Sequence, residues 1–332
     1  WINTMDSTSN VRGAPPFIQA SVSGACNTLV TAPCCANAKI ATFTGPGSFT
    51  VTAAALCAAN NIVSHLIVAG GGSGGTGCSG GGAGAGGFRE VKSPITPYTA
   101  SPLDGYSVPA NRVTVTAQTY AIVVGGGAPG QATAPNSCNS DGTRGNNSSF
   151  GGIISTGGGA GGDGPAGPEG PGGSGGGGGH SSGTAGNGNT PPVSPAQGFN
   201  GRPSQPATGP APSDAGGAGG GATAAGTCGS SGHQGGAGAT TSISATPTAY
   251  AGGGGGSNRC GGTSGDVAGG AGGGGRGASN PRPRPAFDGT GQNGTANTGG
   301  GGGAGGSLVS GGPIGGTGSG GSGIVIIRYK FQ

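Results

Sequence analysis

Leu66-Ile67-Val68-Ala69-Gly70-Gly71-Gly72 passes from an apolar, β-prone run into bare glycine with no turn residue between them. The same junction occurs at Ile122-Val123-Val124-Gly125 and, reversed, at Gly323-Ile324-Val325-Ile326-Ile327. Short runs of Val, Ile and Leu read as strands, so sheet and glycine region are continuous. If these strands share a sheet, the chain leaves after Val68, returns near Phe88, leaves again after Val124 and returns at Ile324. Both glycine excursions then lie on one side of the sheet.

Glycine fills 90 of 332 positions, in runs such as 175–179, 252–256 and 299–303. It loses more conformational entropy on folding than any other residue and brings no side chain to bury, so such a chain either stays disordered or packs backbone on backbone. A structureless excursion over 125–323 would be out of place in a compact domain. Polyglycine II supplies order: a left-handed threefold helix without internal hydrogen bonds, whose amides must be satisfied by neighbours. With no Cβ in the way, adjacent helices approach closely enough to exchange N–H···O and Cα–H···O contacts. Interior helices need glycine all round, as at 175–179 and 299–303. The stretch 204–214, with prolines at 206, 210 and 212, reads as surface. The competing picture is a flexible Gly/Ser tether, which has no use for Cys138, Cys228 and Cys260 within it.

Hydrophobic residues make up 31% of the chain, aromatics 4% and charged residues 7%. Any oily core is therefore small and local, yet the low charge is unlike a solvating disordered tail. The triplet Gly-X-Y lasts little beyond 164–170, which disfavours collagen. A net charge of +4 with no basic cluster longer than Arg282-Pro283-Arg284 argues against nucleic acid. The longest apolar stretches fall far short of the roughly 20 residues that cross a bilayer. Glycine-rich matches to G-x-S-x-G at 71–75 or to G-x-G-x-x-G are inevitable in this composition and lack the helix those motifs require. His65, His180 and His233 have no nucleophile or carboxylate at useful spacing. The expectation is a protein without enzymatic activity and without metal or other cofactor.

Cys26, Cys34, Cys35, Cys57, Cys78, Cys138, Cys228 and Cys260 form an even set in a chain poor in core residues, as a disulfide framework would. That implies an oxidising, extracellular setting. The opening Trp1-Ile2-Asn3-Thr4 has neither Met nor a signal-peptide pattern, as expected of a processed product or part of something longer. Strands are predicted at 40–44 and 48–52 as a hairpin around Gly45-Pro46-Gly47, and at 64–69, 88–92, 112–116, 120–124 and 324–331; a short helical turn fits 53–59. Among isolated aromatics, Phe150 and Phe199 read as plugs of the bundle edge. Tyr250 and the Arg282, Arg284, Phe287 segment read as contacts for a receptor or partner. Trp1, Ile2, Phe17 and Ile18 read as subunit contacts.

The segments 65–72, 82–88, 148–159, 194–201, 296–303 and 320–329, taken in order, resemble the glycine-rich domain of tail-fibre and appendage proteins of bacteriophages, marine ones especially, and of large algal viruses. The resemblance covers roughly 43–331. Distal tail-fibre adhesins of T-even-like phages share this polyglycine packing, with variable segments between glycine runs forming receptor-binding loops. The resemblance thus implies that exposed non-glycine segments are the contact surface. The cysteines and the Cys-rich stretch 22–57 depart from the pattern.

The combined expectation is a mainly β and irregular fold with almost no α-helix. A disulfide-stapled antiparallel β region spans 1–124, a polyglycine II bundle 125–323, and a strand at 324–332 returns to the β region. The expected function is a self-assembling structural subunit of an extracellular fibre or virion appendage, with host glycan or an outer-membrane receptor as partner. Alternatives are a secreted, pilus-like filament subunit in which 1–23 reaches into a neighbouring copy, and an ice-binding protein.

Overall fold

The structure is a computed structural model and describes residues 15–33, 37–77, 79–132, 140–163, 170–180, 183–205, 215–227, 233–257, 267–278, 289–306 and 315–332. Its first strands are β1 (Gln19–Ser23), β2 (Thr28–Thr31), β3 (Ala38–Phe43), β4 (Gly47–Ala53), β5 (Ile62–Val68), β6 (Phe88–Val91), β7 (Val113–Thr114) and β8 (Thr119–Ile122). Two short hairpins follow, β9 (Ser148–Phe150) with β10 (Ile153–Ser155) and β11 (Ala239–Thr241) with β12 (Thr248–Tyr250), and β13 (Ile324–Lys330) closes the chain. Among the described residues there is no α-helix; the alanine-rich stretch after β4 makes only a 3-10 turn at Ala58–Asn61.

Two antiparallel sheets face each other. The smaller has the order β1-β4-β8, the larger β2-β3-β13-β5-β6, with β7 beside β5. The C-terminal β13 lies between β3 and β5, pairing Val325 with Phe43 and Ile324 with Val68. Its unbroken apolar run is explained by burial on both faces. Val325, Ile327 and Tyr329 enter the core between the sheets with Phe43, Phe49, Ile67 and Phe150, while Ile324 and Ile326 pack outward against Leu66, Phe88, Ile243 and Tyr250.

The predicted hairpin around Gly45-Pro46-Gly47 is instead a crossing between sheets, because β3 pairs with β2 and β13 whereas β4 pairs with β1 and β8. The crossing brings Phe43 and Phe49, each 0% exposed, into one core from opposite sides. Asn27 pins it: its Nδ2 donates to the Ser23 carbonyl at 2.8 Å, and its Oδ1 accepts the Thr44 N–H at 3.2 Å. Among the described residues the disulfide staple expected of the β region is not made. Cys26 and Cys57 are exposed free cysteines, and they flank opposite ends of the β1–β4 ladder, whose register runs from Ser23↔Ser48 to Gln19↔Ala53. Four strand steps of about 3.3 Å exceed the reach of one disulfide, whose Cα atoms lie within about 7 Å. Cys34, Cys35, Cys78, Cys138, Cys228 and Cys260 lie outside the described residues.

The glycine segments form a polyglycine II bundle. Gly70, Ser73 and Thr76 donate their N–H groups to the carbonyls of Asn146, Thr143 and Ser140; Gly71 and Gly74 to Gly321 and Gly318; Gly72 and Gly75 to Gly84 and Gly81, all at 2.9 to 3.2 Å. Every third residue faces the same neighbour, as a threefold helix requires. Carbonyls of the same segment accept from Gly158 and Gly161, from Ala128, and from Gly302 and Gly305, so it is bonded to six others. Residues 81–87 repeat the pattern, donating toward 156–162, 217–220 and 299–302. The bundle therefore takes in 70–77 and 79–87 from the N-terminal region. In return the hairpins at 148–155 and 239–250, from within 125–323, cover the sheets.

Candidate contact surface at the far end of the bundle

Strands set the direction of the glycine helices. Val68, Ile122 and Ile324 all stand at one end of the sheets, where Gly323 donates to the Gly125 carbonyl at 2.9 Å and Ala69 to that of Gly87 at 3.1 Å. Segments leaving this end run outward, and their three-residue hydrogen-bond steps show where they stop. At the far end Thr76 meets Ser140 (3.2 Å), Gln131 meets Thr317 (2.9 Å), Ser257 meets Gly80 (3.0 Å), Gln205 meets Ala215 (3.0 Å) and Gly306 meets Gly289 (3.0 Å). Turns at the near end include the β9–β10 and β11–β12 hairpins and the stretch 189–197, which are seated on or beside the sheets. Gln197 ties that stretch down, its Oε1 accepting the Thr156 N–H at 2.9 Å and its Nε2 donating to the Pro191 carbonyl at 3.0 Å.

The described far rim is polar. Hydroxyls substitute for main-chain groups there: Thr317 Oγ1 accepts the Gln131 N–H at 2.9 Å, Ser319 Oγ that of Gly130 at 2.9 Å, and Ser73 Oγ that of Thr143 at 2.8 Å. His233 is the buried ring of the rim, 2% exposed. A carbonyl can only accept, so its Nδ1 carries the hydrogen shared with Gly216 O at 2.8 Å; Nε2 lies 3.3 Å from Gln205 Oε1. Burial, with a smaller contribution from the Arg202 charge, pushes its pKa below the ordinary histidine value, against the Gly216 hydrogen bond. His233 is thus a neutral crosslink between segments. No group of three or more His, Cys, Asp or Glu able to hold a metal occurs among the described residues.

The residues singled out in the sequence scatter. Arg282, Arg284 and Phe287 lie outside the described residues, between Ala278 and Gly289, both at the far end, where Ala278 donates to the Ala304 carbonyl at 2.8 Å. Tyr250 is placed differently: 4% exposed on β12 and packed on the outer face of the large sheet, it offers no ring to a receptor. Ile18 is likewise core, 0% exposed, and Phe17 is half-buried beneath the Lys330 ammonium at 4.6 Å. Their segment 19–23 is β1 of its own sheet, not an arm in a neighbouring copy; Trp1 and Ile2 lie outside the described residues. Phe150 plugs the core, edge-on to Phe49 at 6.2 Å, whereas Phe199 is 42% exposed. The sequence marks the rim residues Gln131, Ser140 and Gln205 only by their place at the ends of glycine runs, and His233 only as a histidine without a catalytic partner at useful spacing.

Residues 43–330 match the family model described as a glycine-rich domain. No curated protein matches the chain.

Proposed function

We propose, from the premise that this chain belongs to the glycine-rich domain family, that it is a non-enzymatic structural subunit of an extracellular fibre or virion appendage. In this reading the sandwich joins copies into a tail-fibre-like shaft, and the far end of the bundle meets a host glycan or an outer-membrane receptor. The observation that carries it is the one-sidedness of the bundle. Its outgoing segments reach a common far rim, while the β9–β10 and β11–β12 hairpins at its near end pack on the sheets. A scaffold whose segments are cross-bonded main chain to main chain, the segment 70–77 to six others, holds the bases of its connections still, so connections there bind with little ordering cost. A secreted filament made from the same module is a second reading, favoured by the outer edges of β1 and β2, beyond which no described strand lies.

Epitope insertion tests the orientation. One tag placed within 206–214 and another after Gln332 are each imaged by antibody decoration in the electron microscope. The first is expected at the outer tip and the second along the shaft. A first tag enclosed within the shaft, or a protein that stays monomeric at every concentration, overturns the proposal.

A further inference from the structure

Asparagine amides are used in two ways in this fold. Asn27, Asn61, Asn111 and Asn189 each donate from Nδ2 to a main-chain carbonyl, at 2.8, 2.9, 2.7 and 3.1 Å. Asn147 and Asn293 are turned the other way: Oδ1 of Asn147 accepts the Gly157 N–H at 2.9 Å, and Oδ1 of Asn293 accepts that of Ser319 at 2.8 Å. A main-chain N–H can only donate, so the atom facing it is the amide oxygen and the amide nitrogen is the one turned away. Both residues are exposed, and neither Nδ2 has a hydrogen-bond partner among the described residues. Both also open the pattern Asn-x-Ser/Thr, as Asn147-Ser148-Ser149 and Asn293-Gly294-Thr295, whereas none of the four donating asparagines does. The remaining match, Asn146-Asn147-Ser148, adjoins the first.

We infer that Asn293 and Asn147 are sites of N-linked glycosylation on one flank of the bundle. The pattern is the acceptor for oligosaccharide attachment in secreted proteins, so the inference rests on the extracellular setting in the proposed function. The sugar donor is an oligosaccharide carried on a lipid diphosphate. The Nδ2–C1 bond forms as the C1–O bond to the diphosphate breaks; the lipid diphosphate leaves with the electron pair, and Nδ2 gives up one proton. The product is still an amide with its carbonyl oxygen, so the bonds from Ser319 and Gly157 survive and the fold closes with the sugars outside. Thr295 is exposed, and its hydroxyl makes no hydrogen bond among the described residues, so packing leaves it free to serve as the third residue of the pattern. The two sites share a flank because the segments 140–147, 125–132, 315–323 and 289–297 are bonded in that order. Asn146 donates to the Gly126 carbonyl at 3.0 Å, Gly320 to that of Ala128 at 2.9 Å and Gly294 to that of Ser319 at 2.8 Å. Bulky, hydrated glycans keep this flank in solvent, and lateral contact between copies falls to the other sides of the bundle.

The test uses the protein purified from its native source. Its peptides are treated in heavy-oxygen water with an amidase of the peptide-N-glycosidase class, which cleaves the glycan from asparagine and leaves Asp carrying one heavy oxygen. Mass spectrometry is expected to find glycopeptides covering 293 and 147 before treatment and labelled Asp at both positions afterwards. Unmodified Asn293 overturns the inference, whatever Asn147 shows. So does equal label at 293 without the amidase, which is spontaneous deamidation before Gly294. Bare asparagines in a chain that assembles into fibres sink this inference alone, while glycosylated chains that never assemble sink the fibre reading alone. Variants secreted from a glycosylating cell separate the pattern from the fold: Thr295→Ala is expected to lose one glycan in intact mass, and Thr295→Ser to keep it. A glycan still attached to Asn293 in Thr295→Ala overturns the assignment of that pattern.

Discussion

The sandwich and the bundle share one chain but are held by different atoms. Between the sheets, specificity resides in side chains: Phe49 meets Phe150 at 6.2 Å and Tyr329 at 5.5 Å, ring edge to ring face. In the bundle it resides in what is missing. A Cβ on Gly71 would lie within 3.0 Å of the Gly300 carbonyl oxygen, and one on Gly82 within 3.0 Å of those of Gly254 and Gly255. Hydrophobic cores tolerate volume-conserving exchange because neighbouring rotamers adjust. Six rigid backbones around a glycine cannot adjust in that way. Robustness to substitution should thus be opposite in the two halves of one fold.

Gly82→Val should give the largest effect. It drives a branched side chain into two carbonyls at the centre of the lattice, and a loss above about 5 kcal/mol, at the top of the range for single substitutions, is expected. Urea unfolding followed by circular dichroism measures it, or the protein fails to accumulate in soluble form. Gly152 is the control: φ is +83° and nothing stands within 4 Å of its missing Cβ. Gly152→Asn should cost about 1 kcal/mol, the left-handed backbone penalty alone. Equal losses at the two sites would mean that close packing is not what the bundle glycines provide.

Phe150→Ala comes next. The ring is 1% exposed and touches Phe49, Tyr120 and His65 at centroid distances of 6.2, 5.9 and 6.0 Å. Removal should cost about 3–5 kcal/mol, as for other buried phenylalanines, while Phe150→Leu should keep most of the stability. The position sharpens the comparison because β9 grows out of a glycine segment. Hydrogen exchange should quicken first in the sheets and only afterwards at 70–76 if the regions are separable, and simultaneously if they are one cooperative unit.

The junctions at Val68, Val124 and Ile324 were readable in the sequence because they combine two strong signals, β-prone runs and glycine, and the glycine runs themselves demanded backbone packing. The strands β5, β6, β8 and β13 followed. Unreadable were β1 and β2, whose alternation in Gln-Ala-Ser-Val-Ser and Thr-Leu-Val-Thr is too short and too polar to stand out from loop, and the sheet crossing at Gly45-Pro46-Gly47, where turn chemistry is the same whether the strands pair or part. Tyr250 misled for a related reason. An aromatic among glycines looks like an anchor aimed at solvent, but the apolar face of the large sheet needs a cover and the β11–β12 hairpin brings one. The far rim was legible only as spacing between glycine runs, since its bonds are made by main chain and common hydroxyls.

The third effect depends on pH. His65 is 0% exposed, neither ring nitrogen has a hydrogen-bond partner, and burial, aided by the Arg89 charge, holds its pKa down at about 3. A base whose folded pKa is depressed is neutral in the fold and protonated when unfolded, so stability present above 6.5 is lost as pH falls toward 3. Between pH 6.5 and 5 the loss should be about 2 kcal/mol, read as a falling urea midpoint, and His65→Leu should flatten it. Glu90 works in the opposite direction. Burial raises its pKa despite hydrogen bonds from Ser101 and Thr241, so its contribution declines as pH rises above 4.5. Glu90→Gln should therefore steepen the acid dependence in the window where the two oppose each other. The bundle's own buried histidine, His233, bonds at the far rim to Gly216, whereas His65 sits within β5 itself, so protection of β5 should be lost before that of 81–87 on acidification.

Cys26→Ser with Cys57→Ser should change least. Loss of a native disulfide typically costs about 2–5 kcal/mol, whereas exchange at exposed sites without partners stays within about 0.5 kcal/mol. Both thiols are exposed and free, so the second figure applies and the melting temperature of the double variant should match the parent with or without reductant. The backbone at Cys26 supplies an internal check. Its φ of +64° is left-handed, and Cys26→Gly should raise stability by up to about 1 kcal/mol by removing a Cβ from that conformation. A gain at Cys26→Gly beside no change in the double serine variant would show that this turn is governed by its main chain. A marked loss in the double variant would instead place a covalent link in the sandwich, and side-chain packing alone would no longer account for that half of the molecule.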